Sequence, residues 1–174
     1  MIAALILGRK GSKGFPGKNT SLINGKPLAW YPMKTALSVK LIDKVYLSTD
    51  DNVLKEIAHG LNIETIERPE HLATSEALGE DAYVHGYQEI KDRNKEKKIE
   101  ILVLMFCNSA TISVASINKG IELIKDNKKY DSAVTVSRYN MWSPLRARKL
   151  NSNNCLDPFV PFENFGDPKT LNCD

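Results

Sequence analysis

Cysteine is scarce in this chain. Its 174 residues hold three, Cys107, Cys155 and Cys173. The count is odd, the spacing is wide and no Cys-x-x-Cys pair occurs. A thiol zinc site or redox dithiol is therefore not expected, and unpaired thiols fit a reducing cytoplasm. Long apolar runs are missing too. The apolar start Met1–Gly8 is far short of a membrane span and lacks the basic segment of a signal peptide. The charge has no strong sign: the net value is +3. The basic residues form no dense patch interleaved with aromatics, so nucleic acid is not an expected partner. The Lys/Arg/Glu run at 91–100 reads as a solvated helix end and loop. Internal repeats and long linkers are absent. What remains is an ordinary globular composition, with enough chain for one domain and a real core.

The most informative stretch is residues 9–19, Arg9-Lys10-Gly11-Ser12-Lys13-Gly14-Phe15-Pro16-Gly17-Lys18-Asn19. It follows Met1–Gly8 (MIAALILG), whose unbroken apolar character marks a strand buried on both faces, as in a parallel sheet. Ligands of open α/β sheets bind beyond the carboxyl ends of the strands. The sequence thus puts three glycines and four cations where a ligand belongs. Glycine lets backbone approach a phosphate, and successive N–H groups can form an anion-binding concavity. A solvated basic loop is the plainer alternative. Two familiar phosphate loops are excluded. The pattern G-x-x-x-x-G-K-[ST] ending at Gly17-Lys18 needs glycine at 12 and a hydroxyl at 19, where the chain has Ser12 and Asn19. The dinucleotide pattern G-x-G-x-x-G fits nowhere in the stretch.

Further along, hydrophobic patterning predicts a helix over 28–39 with Leu28, Met33, Ala36, Leu37 and Trp30 toward the core. Asn24-Gly25 signals a turn before it. A strand is expected at 42–49, a helix at 51–59 with Asp50 as its cap, a strand at 63–66 and a helix at 79–96. The run Glu100–Phe106 reads as the most central strand, Ser113–Lys125 as a helix and Tyr130–Ser137 as a further strand. His85 reads as a packed helix residue rather than a base.

Residues 9–19 resemble the N-terminal signature of the acylneuraminate cytidylyltransferase family, roughly A-R-x-G-S-K-G-x-P-x-K-N. Arg9, Gly11, Ser12, Lys13, Gly14, Pro16, Lys18 and Asn19 match it. The related 3-deoxy-manno-octulosonate enzymes carry S-T-R-L-P there and fit less well. The resemblance extends, more loosely, through Asn24–Tyr31, Ser48-Thr49-Asp50 and Arg68-Pro69. It covers about residues 1–150, and more loosely the rest.

The resemblance implies a three-layer, Rossmann-like α/β fold of the nucleotide-diphospho-sugar transferase kind, with a mostly parallel central sheet. It divides the chain into a nucleotide-binding domain over 1–150 and the start of a dimerisation arm over 151–174. It implies a nucleotidyltransferase that moves CMP from CTP to a nine-carbon sugar acid of the sialic, legionaminic or pseudaminic type. Arg9 and Lys18 would be the catalytic cations. Gly11, Ser12, Lys13, Gly14, Asn19, Arg68 and Thr74 would hold the nucleotide. Asn108, Ser109 and Arg146 would hold the sugar acid, with Arg146 gripping its carboxylate. The family's Mg²⁺-binding D-x-D pair is not found in 150–174, so metal ligands stay unassigned. The chain is expected to lack the family's C-terminal part. A CTP-binding relative without transfer activity is the alternative. Departures from the pattern are Ser75 in place of an Asp and Phe106 where a sugar-contacting Gln is usual. The arm's aromatics, Phe159, Phe162 and Phe165, would anchor a homodimer.

Overall fold

Strand β1 (Ile2–Leu7) is buried at all six positions, and the reason is its place in the sheet. The computed structural model describes residues 1–11, 14–136 and 148–159. Within it β1 runs parallel to β4 (Lys44–Thr49) on one side and β6 (Ile101–Phe106) on the other, and β4 pairs in parallel with β5 (Glu64–Glu67). The order is β5-β4-β1-β6. A short hairpin, β2 (Leu22–Ile23) and β3 (Lys26–Pro27), stands apart from this sheet. Its turn is Asn24-Gly25, both at positive φ (48° and 75°), as the sequence signals.

Because strand side chains alternate, β1 serves two cores. Ile2, Ala4 and Ile6 meet Ala29, Met33 and Ala36 of α1 (Trp30–Ser38) and its lead-in. They also join Leu54 and Ala58 of α2 (Asn52–Gly60) and Ile117 and Ile121 of α4 (Val114–Asp126). Ala3, Leu5 and Leu7 join Tyr46, Ile66 and Ile90, the last on α3 (Gly79–Arg93). Helices therefore cover both sheet faces, which gives the three layers expected. Gly86 lets α3 lie close to β1: a Cβ there would stand 2.6 Å from Leu5 Cδ2.

Three expectations need correcting. The first concerns β6. It is apolar throughout but lies at the edge of the sheet among the described residues. Its side facing α3 is only partly covered, with Leu104 40% and Phe106 46% exposed. Apolar composition here reports neither full burial nor the number of pairing partners: Met105 alone of the strand's six residues is buried. The second is the strand expected at 130–137. Over 130–136 the chain forms no strand, and Val134 and Val136 are 80% and 91% exposed. The alternation is there, but it pairs with no neighbour in the described chain, and an isolated strand has nothing to hold it. The third is the helix cap. Asp51, not Asp50, caps α2, accepting the Val53 N–H at 2.9 Å. Smaller shifts follow the usual fraying of ends: α1 begins at Trp30, Leu37 is exposed, and α3 ends at Arg93.

The chain divides into two compact units, Met1–Ala133 and Val134–Asp174; the sequence reading placed its division after 150. In the second unit, β7 (Arg148–Leu150) and β8 (Leu156–Pro158) form an antiparallel hairpin. Asn151 organises its turn, accepting from the Asn153 and Cys155 N–H groups and donating to Asp157. Ser12, Lys13, Arg146, Phe162 and Phe165 lie outside the described residues.

Candidate active site

Winding runs outward from β1 through β4 to β5, then returns to β6 on the opposite side of β1. The strand order therefore reverses between β1 and β6, and the crevice beyond their carboxyl ends is the expected ligand position. A cleft of about 600 Å³ opens there, within the first unit. Its lining comes from three segments. Gly8, Arg9, Gly14, Phe15, Lys18 and Asn19 follow β1. Arg68, Leu72, Ser75 and the 77–79 turn follow β5 and lead into α3. Phe106, Cys107 and Asn108 follow β6.

The loop after β1 is held from within and from behind. Gly17, at φ 70°, turns the chain into a short 3₁₀ segment, Lys18–Thr20. The Gly17 carbonyl accepts from Thr20 Oγ1 at 3.0 Å and Ser21 Oγ at 3.1 Å. Asn19 O accepts the Ala29 N–H at 2.9 Å, which ties the loop to the start of α1. The Tyr31 hydroxyl donates to the Ile23 carbonyl, so the hairpin braces the same corner. Lys18 and Asn19 are thereby fixed at the cleft wall.

Arg9 lines the cleft, yet its guanidinium is partly engaged by its own loop. Nη1 donates to Gly11 O at 2.9 Å and Lys10 O at 3.2 Å. Arg68 is the buried cation, 6% exposed. It donates through Nη2 to Ser48 O at 2.8 Å and through Nε to Ser48 Oγ at 3.3 Å, so it rests on the end of β4. Burial lowers its pKa from the ordinary value and Arg9 adds to this, while Asp50 opposes both. With Arg9 and Lys18, Arg68 makes the cleft lining rich in positive charge. Such a floor suits an anion.

Gly8 sets how closely β1 and β6 converge here. A Cβ on it would lie 2.4 Å from Cys107 Sγ and 2.8 Å from Leu54 Cδ1. Cys107 is buried beneath the cleft, and burial pushes its thiol up to about 12. This yields a check. Alkylation at pH 8 followed by peptide mapping should modify exposed Cys155 and spare Cys107. The folded-state pKa lies above the ordinary 9.0, so the thiol's stabilising contribution is complete below about pH 9 and is lost as pH rises toward 12. Cys107→Ala should flatten that alkaline fall in a urea-unfolding series. An unchanged fall would assign it to other groups.

The cleft gathers five of the residues singled out from sequence: Arg9, Gly14, Lys18, Asn19 and Arg68, with Asn108 at the β6 end as a sixth. Gly11, at φ 75°, shapes the loop without lining the cleft, and Ser109 does not line it. Thr74 also stays out; its Oγ1 accepts the Ala77 N–H at 3.1 Å and so stabilises the turn into α3. Sequence reasoning passed over Gly8, Phe15, Leu78 and Cys107. Only Gly8 carried a usable signal, a glycine closing a buried strand. No carboxylate is among the cleft-lining residues, and the described residues contain no cluster of three or more His, Cys, Asp or Glu able to hold a metal. They do not fit Mg²⁺ by themselves.

Comparison with known proteins decides the family. Residues 3–156 match the family described as Cytidylyltransferase. The chain belongs to that family. The N-acylneuraminate cytidylyltransferase of Escherichia coli O18:K1:H7 is 30% identical over 91% of this chain and 36% of its own length. A Helicobacter pylori protein named as a pseudaminic acid cytidylyltransferase and UDP-sugar hydrolase is 25% identical over 86% of this chain and 28% of its own. Among solved structures, a CMP:2-keto-3-deoxy-manno-octonic acid synthetase complexed with CTP superposes with TM-score 0.59 at 20% identity. That match covers 73% of this chain and 48% of the other, and it supports the fold. The chain thus spans about a third of the length of these two curated relatives. Among the described residues, no helix is long and apolar enough to cross a membrane.

Proposed function

We propose that this cytidylyltransferase-family chain binds CTP in the β1/β6 cleft, as the nucleotide half of a transfer of CMP to a nine-carbon sugar acid with release of pyrophosphate. The observation that carries this reading is the convergence of Arg68, Arg9 and Lys18 on one cleft at the switch point. In-line nucleotidyl transfer asks little covalent chemistry of the protein. Charge grows on the transferred phosphoryl group and on the leaving pyrophosphate, so preorganised cations and N–H donors do most of the work. Lys18 and Arg9 would meet the triphosphate. Arg68, fixed on Ser48, would meet the phosphate or ribose nearest the floor. Asn19 would help hold the cytidine, and Asn108 would meet the acceptor. The acceptor's hydroxyl is the nucleophile, and no protein nucleophile is required; buried, neutral Cys107 is unsuited to be one. Cytoplasmic placement and a two-fold dimer through the arm bearing Phe159 belong to the same proposal.

The alternative, CTP binding without transfer, is favoured by one observation: no acidic side chain lines the cleft among the described residues. A calorimetric titration with CTP, ATP, GTP and NAD tests the shared element. CTP should bind most tightly, and equal affinity for ATP would overturn the reading. Pyrophosphate release from CTP with sialic, legionaminic and pseudaminic acids then separates transfer from binding alone.

A further inference from the structure

Asp50 follows β4 and stands beside the loop that follows β1, yet it takes no part in capping α2, a task that Asp51 performs. Its Oδ1 accepts the Lys10 N–H at 2.9 Å, across forty residues of sequence. From the other side, Arg9 Nη1 holds the Lys10 and Gly11 carbonyls. The chain then enters Gly11 at φ 75°, a conformation glycine adopts readily. The first turn of the loop is therefore gripped by two charged side chains, one on its N–H and one on its carbonyls.

We propose that Asp50 is a positioning residue that fixes the start of the phosphate loop through the Lys10 N–H. Its value lies in acceptor geometry and not in its charge. A carboxylate next to a triphosphate site repels the ligand, and it is tolerated because it shapes the loop. This deepens the reading given above and rests on it for the ligand, though not for the latch.

That reasoning separates two substitutions. Asp50→Asn keeps an oxygen acceptor for the Lys10 N–H and removes the negative charge. Asp50→Ala removes both. In the ligand-free protein, the Lys10 amide should be protected from hydrogen exchange in the wild type. It should stay protected in Asp50→Asn and exchange roughly tenfold faster or more in Asp50→Ala, the scale of one lost charge-assisted bond. Amides of β1 should not change in either variant. In calorimetry, Asp50→Asn should bind CTP as tightly as wild type or more so, and Asp50→Ala should bind more weakly.

An unprotected Lys10 amide in the wild type would overturn the latch without any variant being made. Equal loss of CTP affinity in both variants, only when Mg²⁺ is present, would instead make Asp50 a metal ligand and overturn it as well. If wild type fails to bind CTP while the Lys10 amide behaves as described, the functional reading falls and the latch stands.

Discussion

Gly8→Ala is expected to lower the melting temperature markedly and to weaken ligand binding together with it. The new methyl would stand 2.4 Å from Cys107 Sγ and 2.8 Å from Leu54 Cδ1, both on buried residues. Both side chains are packed in the core, so they or the backbone at the end of β1 must shift. Overpacking of this kind costs about 1–3 kcal/mol. In a chain of this length each kcal/mol corresponds to roughly 2–4 °C. The displaced backbone carries Arg9 directly after it, and the Gly8 N–H now donates to Ser48 O at 3.2 Å. Stability and affinity should therefore fall together. Cys107→Ala in the Gly8→Ala background should recover part of the loss, because it removes the closest atom, while Leu54 remains. Thermal unfolding of the four proteins in a double-mutant cycle measures this coupling. Additive losses would mean that the two sites do not touch in the way described.

The second large effect is expected from Arg68→Met, which keeps much of the side chain's bulk and removes its charge. Two hydrogen bonds to Ser48 are lost, but Ser48 O retains the Gly8 N–H as a donor and a buried charge is removed with them, so the change in stability should stay within about 1.5 kcal/mol. The change in CTP affinity should be larger, roughly tenfold to a hundredfold, the span of about 1.5–3 kcal/mol for a bond to a charged group. Lys18 is only partly buried, so its proposed interaction with a triphosphate would be better screened. Lys18→Ala should accordingly lose most of its effect between low and high salt, whereas Arg68→Met should keep its effect. Titrations at two ionic strengths separate them. If the two variants show the same salt dependence, Arg68 does not act from a desolvated position.

Much of this was readable in the chain itself. A run of six apolar residues ended by Gly-rich sequence reads as a buried parallel strand, and β1 is that; the sequence left its cationic loop open between an anion site and a solvated turn. The hairpin turn at Asn24-Gly25 was equally plain, because few residue pairs accept two positive φ angles. What failed to show depends on partners distant in sequence. The edge position of β6 and the absence of a strand at 130–136 turn on which strands find neighbours, and alternation at Val134 and Val136 says nothing of that. Two successive aspartates after Thr49 made the capping role ambiguous by one residue, and the choice was settled only by where Lys10 comes to lie. The need for glycine at position 8 is set by Cys107, almost a hundred residues away.

The double duty of β1 bears on how such a chain can change over evolutionary time. A strand with one face in solvent has alternate positions where substitutions drift freely. Here Ile2, Ala4 and Ile6 are claimed by one core and Ala3, Leu5 and Leu7 by the other. Deleting a single residue would exchange the two sets, bringing Leu and Ile where alanines now sit. The strand is thus closed to both insertion and polar replacement, whereas the loops after β5 and β6, at its carboxyl side, carry no such double claim.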